Sequence, residues 1–437
     1  DRALGFALAA GASEAEAVVM REDGALTRFA NSEIHQNVAQ REVAVNLRFV
    51  VGKRVGVASS GRTDDEGLKR LAANAGAIAR VVEELADWAG LPSPTPVEAV
   101  EAAYAPATAE ASPELRADGV RAVIAGADAA GVNAYGSFST GTETTAVANS
   151  NGIRVGGTRT VAQLLTVSMG PDGGTGYAEQ AAVDATTIDA ATIGRESAEK
   201  ARATANAVAI DAGDYHVVLE EYAVVDLLDM LGYLGFSALA VQEERSFVEI
   251  GRTIGSDLVS IVDDGHDPAG LPMAFDYEGV AKQRVTLLDK GVCRGVVHDA
   301  QTASRDGVTS TGHGLPAPNP WGPFPLNMVM APGTDSREDL VAGLERGLLV
   351  TRFHYTNPVH PKLAIITGMT RDGTFLVEDG RIVGPVRNLR FTQSYLEALA
   401  CTVGVARDRK TLKGFLGGVV VPAIRLDGWT FTGTTEH

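Results

Sequence analysis

The chain has 437 residues, with 38 Lys or Arg against 55 Asp or Glu and a formal net charge of -17. Its length suggests about three domains' worth of sequence, and its acidity excludes the clustered cations that a surface tracking nucleic-acid phosphates requires. Apolar residues make up 45%, as in a folded chain; Cys293 and Cys401 build no disulfide framework, and no apolar run approaches the roughly 18 residues that span a bilayer.

A cytoplasmic protein is expected, although the start at Asp1 leaves room for a removed leader. Residues 3–10 read as the end of an amphipathic helix. Residues 17–20 and 26–30 read as a hairpin about Glu22-Asp23-Gly24, 43–51 alternates with period two, and Gly52-Lys53 turns the chain into a fourth strand at 55–59. Thr63 and Glu66 have capping-box spacing, and Leu68, Leu71, Ala75, Ile78 and Val82 recur at helical intervals. The first segment, 1–96, thus reads helix, four strands, helix. It ends in Leu91-Pro92-Ser93-Pro94-Thr95-Pro96, which no helix or central strand accommodates.

The second segment, 97–212, opens a helix at Ser112-Pro113 that runs to Gly131. Strands are expected at 133–140, 143–149, 153–158 and 161–169, and a second helix at 189–205. The order repeats that of the first segment, and Ala30-Asn31-Ser32 recurs as Ala148-Asn149-Ser150, which points to a duplication. In the third segment, 213–437, a strand at 216–219 enters a long apolar helix over 222–240, and short strands with Gly/Pro turns follow. Their connections are mostly too short for helical crossovers, so antiparallel pairing is expected. The fold class is α+β: a duplicated helix–four strands–helix half, then a mostly antiparallel β domain with one long apolar helix.

No phosphate-cradling Gly-rich loop, Gly-x-Ser-x-Gly elbow or His-Glu-x-x-His stands in the chain. His354 and His360 flank Asn357, and His313 follows Ser310-Thr311-Gly312. Both runs could touch a ligand, against the commoner reading of loops whose histidines bond the backbone or face water. Asp263, Asp264 and Asp267, and Asp276 with Glu278, could act as acid and base or hold a cation, against the commoner use of turn carboxylates as amide caps.

Five runs carry a resemblance: VSIVDDG at 259–265, Phe275-Asp276-Tyr277-Glu278-Gly279, Ser310-Thr311-Gly312, FLVEDGRI at 375–382 and NLRFTQS at 388–394. With Ala30-Asn31-Ser32 and the strands after it, nearly the whole chain resembles the TldD/PmbA proteins, also called modulator-of-gyrase or TldD/TldE peptidases. In the TldD branch the apolar helix carries His-Glu-x-x-x-His, whose histidines bind zinc with a C-terminal cysteine while the glutamate activates water. The corresponding positions here are Asp229, Met230 and Leu234, and no cysteine stands between Thr411 and Val420. Leucine has no lone pair to offer and methionine takes no proton. No histidine occurs between His216 and His266, so a slip of one residue restores nothing.

The resemblance therefore implies the TldE/PmbA branch: a non-catalytic subunit with no cofactor of its own, zinc being expected in a TldD-like partner subunit. Such a heterodimer would degrade unfolded peptides or trim leader peptides, with no contact to nucleic acid or membrane. A peptide would add to a strand edge, with Ser310, Thr311, Gly312, His313, His354, Asn357 and His360 as candidate groove residues. The alternatives are an independent metal-dependent hydrolase with a relocated site near His313, His354 and His360, and a homodimeric peptide-binding protein.

Overall fold

Alternating polar and apolar residues produce strands much longer than the short segments expected. In the computed structural model, which describes residues 1–434, the first segment holds β1 (Glu14–Ala30), β2 (Glu33–Val51) and β3 (Arg54–Ser60), and the second holds β4 (Asn133–Asn149), β5 (Arg154–Met169) and β6 (Thr175–Ala182). Each segment thus has three strands where four were expected. Glu22-Asp23-Gly24 stays extended in the middle of β1 because β2 and β4 pair with it on both sides. Gly141-Thr142 does the same inside β4, between β1 and β5. Ladder pairing on both flanks overrides a local turn signal.

The six strands form one antiparallel sheet in the order β3-β2-β1-β4-β5-β6. Its centre is self-complementary. The repeated triplets lie 118 residues apart (149 minus 31), which makes Gly141 the counterpart of Asp23 and Thr142 that of Gly24. The ladder pairs Asp23 with Thr142 and Gly24 with Gly141, each residue with its neighbour's counterpart, as across an isologous dimer interface. Helices α1 (Arg2–Ala9) and α2 (Asp65–Val81) bury Leu47 and Phe49 on one half of the sheet. Helices Pro113–Ala130 and Ala190–Ala203 bury Phe138 and Leu164 on the other. Ser112 caps Leu115 N and Gly131 takes the left-handed conformation (φ 70°) at the far end of that helix, as expected. The cap of α2 is Asp64, accepting from Gly67 N, one residue beyond Thr63.

The third segment builds an eleven-stranded sheet. Most of its pairings are antiparallel; the strand Gly213–Leu219 runs parallel to Arg346–His360, and Met328–Met330 parallel to Gly418–Thr434. The apolar helix covers Glu221–Leu234 and packs on this sheet. Val224, Leu227, Leu228 and Leu231 are fully buried, each contributing about 1.5–3 kcal/mol. It ends at Leu234 rather than 240: the backbone leaves the helix at Gly235 (φ -137°, ψ -36°), where a Cβ would lie 2.2 Å from the Phe247 ring. A short second helix, Ala238–Gln242, follows. No described helix is long and apolar enough to cross a membrane.

Candidate functional site

The less buried side of the apolar helix presents Asp226 and Asp229. Asp229 Oδ2 accepts a hydrogen bond from Phe415 N at 2.9 Å, and a Cβ on Gly414 would lie 2.6 Å from Oδ1. Glycine is what lets the hairpin approach so closely. Burial pushes the Asp229 carboxyl up to about 7, and Asp226 adds to the rise. Asp226 is itself raised by burial, while accepting from Tyr395 Oη at 2.8 Å and Thr356 Oγ1 at 2.6 Å. Met230 packs half-buried against the core and Leu234 is buried. Of the three positions that the resemblance aligns with a zinc motif, one is a carboxylate, which already fastens the hairpin, and the others are a thioether and a hydrocarbon. A zinc site draws on three or four N, O or S donors, so these side chains do not fit the metal. Among the described residues no group of three His, Cys, Asp or Glu is placed to hold a metal ion.

His313, read as a loop residue, is wholly buried. Its Nε2 stands 2.8 Å from Asp263 Oδ1 and its Nδ1 2.9 Å from Thr311 Oγ1. Lys282 Nζ donates to the same Asp263 oxygen at 3.1 Å, and Asn327 N to Oδ2 at 2.7 Å. Against its burial, Lys282 and His313 hold the Asp263 carboxyl well below the usual range. Burial, then Lys282, pushes His313 down. Asp276 accepts from Glu278 N and Val280 N at 2.9 Å each and from Gly314 N at 2.7 Å. Glu278 accepts from Ala300 N at 2.8 Å and from Arg48 at 3.3 Å, and Arg48 reaches Glu16 at 3.5 Å. Three of the runs that carry the resemblance thus converge on one buried polar network, which clasps the third segment to β1 and β2. Asp264 and Asp267 cap His266 N and Ala269 N at 2.9 Å. The carboxylates do the capping and ion-pairing work of packing.

Ser310, Thr311 and Gly312 belong to the wall of this network; Gly312 has φ 72°, and a Cβ there would lie 2.3 Å from Ala281 O. His354, Asn357 and His360 lie exposed on the strand Arg346–His360, opposite Met369, Thr367 and Ile365. The run taken for a loop is a bulged strand, and its histidines are not brought to His313 as a metal-binding group.

Cavities open elsewhere. Two, of about 320 and 410 Å³, share Glu22, Glu143, Val161 and Lys413 and form one groove over the six-stranded sheet. Gln36, Val38, Gln40, Glu42 and Ala44, alternate residues on one face of β2, line it over about 27 Å at ~3.4 Å per residue. The next residues on that face reach the third segment: Asn46 donates to Ala317 O at 3.0 Å, and Arg48 to Glu278. The opposite wall is the hairpin of residues 413–418, whose Phe415 amide is held by Asp229. Polar side chains and mixed charges suit an extended, hydrogen-bonding ligand. Reading the sequence missed this groove; Gln36, Gln40 and Glu42, polar residues on one face of β2, were the available signal.

Three family descriptions match the chain in succession: PmbA/TldA metallopeptidase domain 1 over residues 15–79, the central domain over 93–205 and the C-terminal domain over 212–433. The "Metalloprotease TldD homolog" of Haemophilus influenzae is 28% identical over 268 residues, 56% of this chain and 54% of that protein. The "Metalloprotease" of Methanothermobacter thermautotrophicus is 26% identical over 232 residues, 52% of this chain and 50% of that protein. The chain spans about half the length of these curated relatives. Among solved structures, TldE from Thermococcus kodakarensis is similar in fold, with a TM-score of 0.89 at 21% identity over 98% of this chain and 99% of that one. A putative modulator of a DNA gyrase from Thermotoga maritima has a TM-score of 0.87 at 21% identity over 99% of both chains.

Proposed function

The chain belongs to the PmbA/TldD metallopeptidase family, and we propose that it acts there as a non-catalytic subunit of TldE/PmbA type. It pairs in the cytoplasm with a zinc-bearing TldD-like subunit and helps to hold unfolded peptides or leader-bearing precursors for hydrolysis by that partner. The observation that carries this reading is the chemistry of Asp229, Met230 and Leu234. They contribute one carboxylate, committed to Phe415 N, no imidazole, and a methionine where the resemblance places the water-activating glutamate. Relatives named as metalloproteases set the opposite expectation for the family at large; these side chains argue for the partner's role in this chain. The groove beside the Asp229-held hairpin supports peptide handling. The relocated-site alternative loses its central ligand, because His313 is enclosed with Asp263 and Lys282.

The test mixes the purified chain with a TldD-type subunit and follows casein hydrolysis. Activity in the mixture and none in this chain alone is the expected outcome. Hydrolysis by the isolated chain would overturn the reading.

A further inference from the structure

A further cavity, of about 320 Å³, adjoins the groove and differs from it in chemistry. Its floor is the same face of the six-stranded sheet. Val155, Gly157, Arg159 and Val161 follow one another at alternate positions of β5 on this face, and Thr145 and Glu143 of β4 stand opposite Gly157 and Arg159. Glu143, Thr145 and Arg159 line both spaces, so the groove continues into the cavity across the Arg159–Glu143 pair.

The cavity walls are apolar. Val97 and Val100 come from the stretch after the prolines, Val155 from β5, and Met273 and Phe275 from the third segment. Gly157 keeps the space open: it carries no side chain between Val155 and Arg159, and a Cβ there would lie 3.3 Å from the Phe275 ring. Behind the cavity, Phe275 packs with Val18, Val147 and Ile153 in a buried cluster. Protein interiors leave few voids larger than a water molecule, whereas this volume falls at the lower end of ligand sites, about 300–1,000 Å³. Arg159 Nε and Nη2 both reach Glu143 Oε2, at 2.8 and 2.6 Å. The pair at the entrance is thereby neutralised, and a charged guest would lose its hydration for no free counter-charge.

We propose that this cavity is a side-chain pocket, which takes one large apolar residue, leucine or phenylalanine, of a polypeptide lying in the groove. Continuity through Glu143, Thr145 and Arg159 argues for this occupant, because a chain passing over them turns a side chain directly into the apolar space. The inference rests on the peptide-handling reading and adds a sequence preference to it. Moving a leucine side chain from water into such a pocket, where a serine has little apolar surface to bury, strengthens binding by about tenfold or more.

The probes are fluorescein-labelled, amidated peptides Lys-Thr-Gln-X-Gln-Thr-Lys with leucine, serine or glutamate at X. Anisotropy titration with the full chain is expected to give binding about tenfold tighter or more for leucine than for the other two. Gly157→Val fills the floor at an exposed strand position that suits a β-branched residue. Ala99→Trp fills the space from its exposed rim. Loss of the leucine preference in either variant, with serine-peptide affinity and the circular dichroism spectrum unchanged, is the expected result. Equal affinity for the three peptides, no binding to the unaltered chain, or a preference that survives both substitutions overturns the proposal. If the mixed subunits hydrolyse casein while leucine gives no advantage, the functional reading stands and the pocket alone fails. A leucine preference with an inactive mixture fails the functional reading and leaves the pocket.

Discussion

Asp229 accepts the backbone amide of Phe415 at 2.9 Å. The position where the resemblance places a zinc-binding histidine therefore fastens the hairpin 413–418, one wall of the groove, to the apolar helix. This buried acid has its pKa raised to about 7, chiefly by burial. Between about 3.8 and 7 the folded chain binds the proton that the unfolded chain has released, so stability falls as pH rises through that window. Asp229→Asn keeps an acceptor and removes the titration. Urea unfolding at pH 4 and pH 7.5 is expected to show a smaller loss of stability in the variant, by up to about 4 kcal/mol. Identical pH dependence in both proteins would contradict this.

The Asp263–Lys282–His313 cluster is expected to make the fold acid-labile. Asp263 is depressed, so its contribution is present above its unfolded value and lost as pH falls through the folded one. His313 is also depressed, so its share is complete above about 6.5 and is lost as pH drops below that. Asp263→Asn leaves the Lys282 ammonium buried without a counter-charge and is expected to cost about 3–5 kcal/mol at pH 7.5. His313→Gln should flatten the loss between pH 6.5 and 5, as followed by thermal melts.

Arg48 bridges Glu16 on β1 and Glu278 in the third segment, with side-chain exposures of 12%, 2% and 6%. Arg48→Met leaves both carboxylates inside without a cation and is expected to cost about 3–5 kcal/mol. Loosened packing between the sheet and the third segment should appear as faster cleavage by a glutamate-specific protease at the exposed Glu98, in the stretch 91–100. A loss below 1 kcal/mol would show that the clasp is not where the two parts are joined.

Gly141, opposite Gly24 at the centre of the duplicated sheet, has no room for a side chain: a Cβ would lie 2.9 Å from Asp23 O and 3.2 Å from Gly24 Cα. Gly141→Val is expected to destabilise the chain by about 1–3 kcal/mol. Gly384→Val, where the surrounding space is open, is the control and should cost less.

Local chemistry announced itself in the sequence where its partners were close by. The cap at Ser112, the left-handed Gly131 and the apolar helix starting near Tyr222 needed only neighbouring residues. What stayed hidden depends on distant ones. The Phe247 ring that leaves no room for a side chain at Gly235, where that helix ends, comes from a later segment. The turn at Asp23-Gly24 is suppressed by β4, more than a hundred residues away. His313 looked like a loop residue because Asp263 is 50 positions earlier. The groove joins β2 to residues 413–418, a pairing that no periodicity in either stretch reports. Asp229, Met230 and Leu234, on which the proposed non-catalytic role rests, could be named from the sequence because they lie on one helix.

Elemental analysis of the isolated chain, incubated with zinc and then exchanged into metal-free buffer, tests the central claim most directly. The account requires well under 0.1 zinc per chain and no dependence of the melting temperature on zinc. One tightly held zinc per chain, lost on changing Asp229 to Ala, would contradict it.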